Sequence, residues 1–311
     1  MVGPALERTL RLVLFGDGRW AADALRRLAH GRHHVVGVVV RERPSDGALV
    51  QAAQRLGVPV LRPHDVNDPG VVECLKSLGP TLGLSIAYNQ ILRPAVLESA
   101  PLGFLNFHAG KLPFYRGRNV VNWALINGEA EIGVTAHFID EGIDTGDILV
   151  QRTLPVGWTD TYSDVLAHVV EAIPALVEES VELVARGGYS VRRQADLPGT
   201  YFAGREPGDE WLDWSDTSVT LHNKIRAISR PAPGARTVVG GQTVIIWRAF
   251  FDPAWPKYVA TPGQVVGRDA GGAGVLVKTG DSTLLVQEIE VAGAVGAPAW
   301  QIGTRLAHGH A

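Results

Sequence analysis

The segment LRLVLFGDGRWAADALRRL, residues 10–28, decides the fold. Its first half is a short apolar run ending in glycines, the form of a strand buried in a parallel sheet. Its second half changes period, with Trp20, Ala21, Ala24, Leu25 and Leu28 on one face of a helix. The rest of the first half repeats this unit. HVVGVVV (34–40), TLGLSIAY (81–88) and GFLNFH (103–108) predict strands, with helices over 45–56, 69–78 and 94–100 and an extended PVLRP between them. Strand alternating with helix at this spacing implies a mostly parallel, doubly wound, Rossmann-like α/β sheet. Further on, 119–126 predicts a helix, IGVTAHFI (132–139) a strand, and DILVQRTLPV (147–156) its hairpin partner. The longest helical pattern runs from Thr161 to Arg186, interrupted by Pro174 and ended by Gly187 and Gly188.

Composition then shifts. Pro198, Pro207 and several glycines mark a linker, and after a helix over 218–229 short β-rich runs with glycine turns predict a small β-barrel-like domain. The expected organisation is a catalytic domain over 1–188, a linker over 189–210 and a β-rich, OB-like domain over 211–311. Trp211 and Trp214 are expected to pack the linker onto the main domain.

The 311 residues are 46% hydrophobic and 20% charged, enough for a real core, so disorder is not the expectation. With 29 Lys+Arg against 32 Asp+Glu the chain lacks the basic footprint of a dedicated nucleic-acid binder. A single cysteine, Cys74, excludes an intramolecular disulfide and is expected as a small core residue. Neither a secretion signal nor a membrane-spanning run is evident, so a cytoplasmic location is expected.

Chemistry concentrates in two stretches. In GFLNFHAGKLPFYRGR (103–118), Asn106 and His108 are two residues apart at a strand end and leave one face. Ligands gather at the carboxyl ends of strands in such sheets. An amide beside an imidazole suits acyl transfer: one donates to an oxyanion, the other moves a proton. Arg116 and Arg118 in the following loop are candidates for holding an anion. In VTAHFIDEGIDTGDIL (134–149), Asp140, Glu141, Asp144 and Asp147 crowd eight residues, and Gly142 and Gly146 permit a tight turn. Such a loop can bring a carboxylate against His108. His137 is expected to be structural, and His33, His34, His308 and His310 to be surface residues.

N-x-H, L-P-x-x-x-G and D-x-G-x-D-x-G-D together resemble the folate-dependent formyltransferases, which include methionyl-tRNA, nucleotide-sugar and glycinamide ribonucleotide formyltransferases. The core motifs cover residues 85–150. IRAISRPAPGA (225–235), TPGQVV and VLVKTGDSTLLVQEIEVAG (275–293) are similar to the C-terminal domain of the tRNA and sugar enzymes. The single-domain glycinamide enzyme has no such tail. The resemblance implies 10-formyltetrahydrofolate as co-substrate and no metal. It implies His108 as the proton-transferring residue, Asn106 as oxyanion donor and Asp144 as the group that positions His108 and a water. It places folate against Gln90, Ile91, Leu92, Arg118 and Asp140, Glu141, Gly142 and Ile143. Lys111 stands where many relatives carry leucine, and with Trp20 and Arg116 is expected to face the amine substrate.

Three acceptors follow from the resemblance: a nucleotide-linked amino sugar, an amino-acid or siderophore amine, and initiator methionyl-tRNA. Residues 201–311 hold ten Lys+Arg and ten Asp+Glu, and the loop RERPSDG (41–47) is short and mixed in sign where the tRNA enzymes carry a longer basic insertion. Both features disfavour nucleic acid, and the form FHAGKLPFYRGRN favours the sugar enzymes, which are often homodimers. A rival of another class is a nicotinamide-dependent dehydrogenase, because GDGRWA (16–21) is a G-x-G-x-x-A match after a strand. A folate-binding protein without catalysis is a further alternative, against which all three catalytic positions stand.

Overall fold

The structure is a computed structural model that describes residues 8–194 and 198–309. Two compact units form. One takes the chain up to Gly117, with Gly133–Leu154 and Ala167–Tyr201; the other takes Arg118–Ile132, Pro155–Leu166 and the chain from Phe202 onward.

In the first unit β1 (Arg11–Gly16) passes into α1 (Gly18–Ala29), followed by β2 (His34–Val40), α2 (Ala48–Arg55), β3 (Val60–Leu61), α3 (Pro69–Ser77), β4 (Leu82–Ile86), α4 (Pro94–Leu97) and β5 (Phe104–His108). The short β6 (Arg116–Gly117) and, in the second unit, α5 (Val120–Ile126) precede β7 (Glu131–Phe138), β8 (Ile148–Pro155) and α6 (Tyr162–Arg186), whose residues up to Leu166 also belong to the second unit. Sheet order is β3-β2-β1-β4-β5-β7-β8. Pairings through β5 are parallel, and β7 runs antiparallel to β5. This is the doubly wound α/β sheet that the alternating pattern implies. Chain order reverses between β1 and β4, and ligand crevices form at such a switch point.

The apolar pattern explains the packing. Leu12, Val13, Leu14 and Phe15 of β1 are fully buried, and α1 buries Ala21, Ala22, Ala24, Leu25 and Leu28. A Cβ on Gly16 would stand 2.7 Å from that of Ala21, so only glycine lets the helix leave the strand this closely. Phe15, Val39, Leu75, Leu92, Val96 and Phe104 form one cluster, with Tyr88 and Ile139 packed against it. Leu92 and Ile139 thereby root the loops after β4 and β7 in the same apolar mass. Contrary to expectation, α6 runs unbroken through Pro174. The proline forgoes one backbone bond, and the buried Val169, Ile173, Leu176 and Val177 around it hold the helix together.

In the second unit β9 (Tyr201–Phe202) and α7 (Ser218–Ala227) precede β10 (Ala235–Val239), β11 (Gln242–Phe250), β12 (Val265–Arg268), β13 (Val275–Lys278), β14 (Thr283–Val291), β15 (Ala294–Gly296) and β16 (Leu306–Ala307). β10 and β11 are joined by Gly240 and Gly241, both with positive φ, as a tight hairpin turn demands. Sheet order is β12-β13-β14-β11-β10-β16, and the antiparallel bridge Gln264–Arg305 brings its two ends back together. The sheet is therefore curled on itself, the barrel-like form that the glycine-punctuated runs suggest.

Several side chains differ from expectation. Trp214 is buried within the second unit, donating to Thr237 Oγ1 at 3.0 Å, and Trp211 lies beside His308 there. His33 is buried rather than superficial: its Nδ1 accepts from the Leu10 N–H at 3.0 Å and its Nε2 meets Glu182 at 3.1 Å. Cys74 is half-buried. His310 lies outside the described residues. Among the described residues no helix is long and apolar enough to cross a membrane.

Candidate active site

The carboxyl end of β5 delivers Asn106 and His108, two residues apart on one side of the strand. β5 is paired in register with β4 (Ser85 with Asn106) and with β7 (Asn106 with His137). The turn after β7 then returns Asp144 to the same place. Asp144 sits at φ 55°, a left-handed conformation uncommon outside glycine, so its surroundings must over-determine it. They do: Asp144 Oδ2 accepts the Gly117 N–H at 2.9 Å and stands 3.6 Å from His108 Nδ1.

His108 is nearly buried. Its Nε2 lies 2.7 Å from the carbonyl of Tyr115, a residue also at positive φ. Both ring nitrogens thus face acceptors, and a singly protonated ring satisfies only one of them. Burial pulls the His108 pKa below its ordinary value, against the opposing pull of Asp144 and the Tyr115 carbonyl. For Asp144, burial alone acts upward, but His108, His137 and the Gly117 N–H outweigh it and bring the carboxyl down to about 2. The pair is a permanent carboxylate beside an imidazole that is easily stripped of its second proton.

His137, expected to be structural, belongs to this cluster. Its Nδ1 faces the Phe138 carbonyl at 2.8 Å, and its Nε2 lies within reach of an Asn106 amide hydrogen at 3.2 Å and of Asp144 Oδ1 at 3.4 Å. Asn106 gives its other amide hydrogen to Asp144 Oδ1 at 3.3 Å. Both bonds are long for N–H donors, so an oxyanion at closer range can displace either.

The remaining sequence candidates are placed as follows. Gln90 accepts the Val66 N–H at 2.8 Å and donates to the His64 carbonyl at 3.1 Å, which pins the loop after β4; beyond it Ile91 is 68% exposed and Leu92 is buried. Asp140 accepts from Gly142 N and Thr145 Oγ1 and shapes the turn, leaving Ile143 56% exposed. Glu141 is exposed. Arg118 belongs to the second unit, where its N–H donates to the Phe202 carbonyl. Lys111 packs its backbone against Gly133, where a Cβ would stand 2.4 Å from the Lys111 Cα. Trp20 is half-buried on the first turn of α1. Arg116 is turned inward: its guanidinium binds Gln194 and lies 5.3 Å from the centre of the Tyr201 ring.

The GDGRWA turn carries its own anion. Asp17 is 3% exposed, pairs with Arg41 at 3.2 Å and accepts the Ser45 N–H. A buried carboxylate fills the position where a dinucleotide fold seats pyrophosphate, which removes the basis of the dehydrogenase reading.

Comparison with known proteins gives the chain its relatives. Residues 10–180 match the family model described as formyl transferase, and residues 205–304 match the model of the formyl transferase C-terminal domain. The chain is 33% identical over 293 residues to the methionyl-tRNA formyltransferase of Pelotomaculum thermopropionicum, covering 92% of each chain. It is 36% identical over 314 residues to that of a Roseiflexus species, covering 96% of this chain and 94% of the other. Among solved structures, the N-formyltransferase of Helicobacter canadensis in complex with folinic acid and dTDP-3-aminofucose superposes with a TM-score of 0.68 at 19% identity, over 90% of this chain and 99% of the other. At that identity the likeness speaks for the fold.

Proposed function

The chain belongs to the formyl transferase family of enzymes, and on that premise we propose that it carries a formyl group from 10-formyltetrahydrofolate to the primary amine of a small molecule, a nucleotide-linked amino sugar. The observation that supports the chemistry is the approach of Asn106 Nδ2 and His108 Nδ1, both at the end of β5, to the Asp144 carboxylate, at 3.3 and 3.6 Å.

The geometry and the resemblance support the following roles. Asn106 donates an amide hydrogen to the oxygen of the formyl group as the amine nitrogen bonds to its carbon. His108, neutral because burial disfavours its charged form, takes the proton that the attacking amine must lose. It returns that proton to the nitrogen that leaves. Asp144 stays ionised throughout and stabilises the imidazolium between these two events. His137 holds the amide of Asn106 in plane.

The donor fits the loops after β4 and β7. A reduced pterin is a planar group with a hydrogen-bonding edge. Ile91 and Ile143 offer exposed apolar faces, and both loops rise from the cluster that holds Leu92 and Ile139. Gln90, Asp140 and Gly142 set the backbone there.

The acceptor reading rests on charge. Residues 201–311 balance ten cations with ten anions, and the loop 41–47 balances Arg41 and Arg43 with Glu42 and Asp46. Arg41 is further committed to Asp17 and the Ala87 carbonyl. A tRNA-binding surface draws its affinity from phosphate contacts made by basic residues. Initiator methionyl-tRNA is the second reading, favoured by the name of relatives that are 33–36% identical along nine-tenths of both chains. Residues 1–188 are proposed as the catalytic domain, 189–210 as a linker and 211–311 as a supporting domain.

The test is formyl transfer to nucleotide-linked amino sugars, hydroxyornithine and methionyl-tRNA, read by mass spectrometry of the product. Turnover of a sugar nucleotide supports the first reading. Turnover of tRNA alone, with KM rising steeply with salt, establishes the second and refutes the first. No formylated product with any amine refutes the proposed reaction.

A further inference from the structure

We infer that Gln194, in the stretch expected to be a linker, is a positioning residue that fixes Asp144 against His108; this rests on the proposed proton transfer by His108. Gln194 is 1% exposed, although it lies outside every regular element. Its Oε1 accepts from Arg116 Nη2 at 2.9 Å and from Arg116 Nε at 3.3 Å. Its Nε2 donates to the Asp144 carbonyl at 3.2 Å and to the Gly146 carbonyl. A glutamine side chain offers two lone pairs and two N–H groups, and all four are used. A guanidinium only donates and a carbonyl only accepts, so the amide has one orientation here.

The two loops that this amide joins are the ones that hold His108. Arg116 is flanked by Tyr115, whose carbonyl faces His108 Nε2, and by Gly117, whose N–H holds Asp144 Oδ2. Asp144 and Gly146 belong to the other loop. Asp144 and Tyr115 both sit at positive φ, a strained backbone that persists only under external restraint. Nearby bonds tighten the same seam: the Tyr115 N–H donates to Thr200 Oγ1 and the Arg116 N–H to the Thr200 carbonyl. Gln194 touches none of the groups assigned to the chemistry except through the backbone of Asp144. Its effect is to hold the carboxylate at its distance from His108 Nδ1.

Two variants separate this role from simple stabilisation. Gln194→Glu keeps an acceptor for Arg116 but loses both N–H groups and turns a charge toward two carbonyls. Gln194→Leu keeps the bulk and loses everything polar. Misplacement of a positioned group by about 1 Å costs on the order of 10²-fold in rate, and a loss of that order in kcat is expected for both variants, with KM for the donor little changed. The imidazole of His108, followed by NMR on ¹³C-histidine-labelled full-length protein without substrate, is expected to titrate at lower pH in Gln194→Leu, which adds no charge. Its upward pull from Asp144 is weakened while its burial remains.

Wild-type kcat in Gln194→Glu would overturn the inference, since Arg116 alone would then account for the residue, and so would an unmoved His108 titration in Gln194→Leu. Parallel loss of melting temperature and folate binding in both variants, with the His108 titration unmoved, would do the same. The NMR reading needs no acceptor, so an absence of formyl transfer in the wild type would count against the proposed function and leave the test of Gln194 intact.

Discussion

Asp144 Oδ2 lies 3.6 Å from His108 Nδ1, and the same oxygen is tethered at 2.9 Å by the Gly117 N–H. The carboxylate therefore has a fixed address, and the ring beside it is oriented before any substrate arrives. His108→Ala should lower kcat by roughly 10²–10⁴-fold, the usual contribution of a positioned acid–base group, and leave donor affinity nearly intact. Rapid-quench kinetics and a folate titration read the two separately. Loss of donor affinity without loss of the chemical step would assign the residue to binding.

The same pair fixes the pH dependence. Burial holds His108 below its ordinary 6.5, and the neutral ring is the competent form in the proposed transfer. kcat/KM, which reports groups of the free enzyme, should rise with pH through a midpoint below 6.5. Asp144 opposes the effect of burial, so Asp144→Asn should move that midpoint further down while kcat falls. A midpoint that rises in Asp144→Asn would contradict the assignment of the limb to His108.

Asn106 gives both amide hydrogens to groups in the site, at 3.2 Å to His137 Nε2 and 3.3 Å to Asp144 Oδ1. Replacing weak partners with a developing oxyanion is what makes such an amide more effective in the transition state than in the ground state. Asn106→Ala should cost about 10²–10³-fold in kcat, the range seen when one oxyanion donor is removed. His137→Ala should cost less, because it frees the amide without deleting it. Equal losses in the two variants would show that orientation of the amide, rather than its presence, controls the rate.

Much of this was legible in the chain. Periodicity placed α1, β2 and β5 to within a residue or two, because each is a single unambiguous run. The i, i+2 spacing put Asn106 and His108 on one face, and the glycines at 142 and 146 announced the turn that returns Asp144. What escaped was set by contacts distant in sequence. His137 read as an ordinary strand histidine, since its pairing with Asn106 exists only through the β5–β7 register. Gln194 is 78 residues from Arg116 and 50 from Asp144, in a stretch whose prolines and glycines point to a linker. Arg116 read as an anion holder because composition cannot show that its guanidinium faces inward. Pro174 read as a break because local rules ignore the apolar packing that carries α6 across it.

Packing between β4 and β5 sets the position of Asn106, and one glycine controls that packing. A Cβ at Gly83 would stand 2.1 Å from two ring carbons of Phe104, its partner in the ladder. Phe104 is 1% exposed and makes an edge contact with Phe15, so it has no free direction in which to retreat. Gly83→Ala should therefore destabilise the fold by about 1–3 kcal/mol, the usual range for forcing extra volume into a packed core. The strain has a functional consequence, because relief requires β5 to shift away from β4 and Asn106 sits two residues beyond Phe104, opposite Ser85. At a temperature where the variant is fully folded, kcat should fall while the fluorescence-detected unfolding midpoint in urea drops. A variant that loses stability but keeps wild-type kcat would show that Phe104 yields by rotating its ring, with β5 and the site held in place.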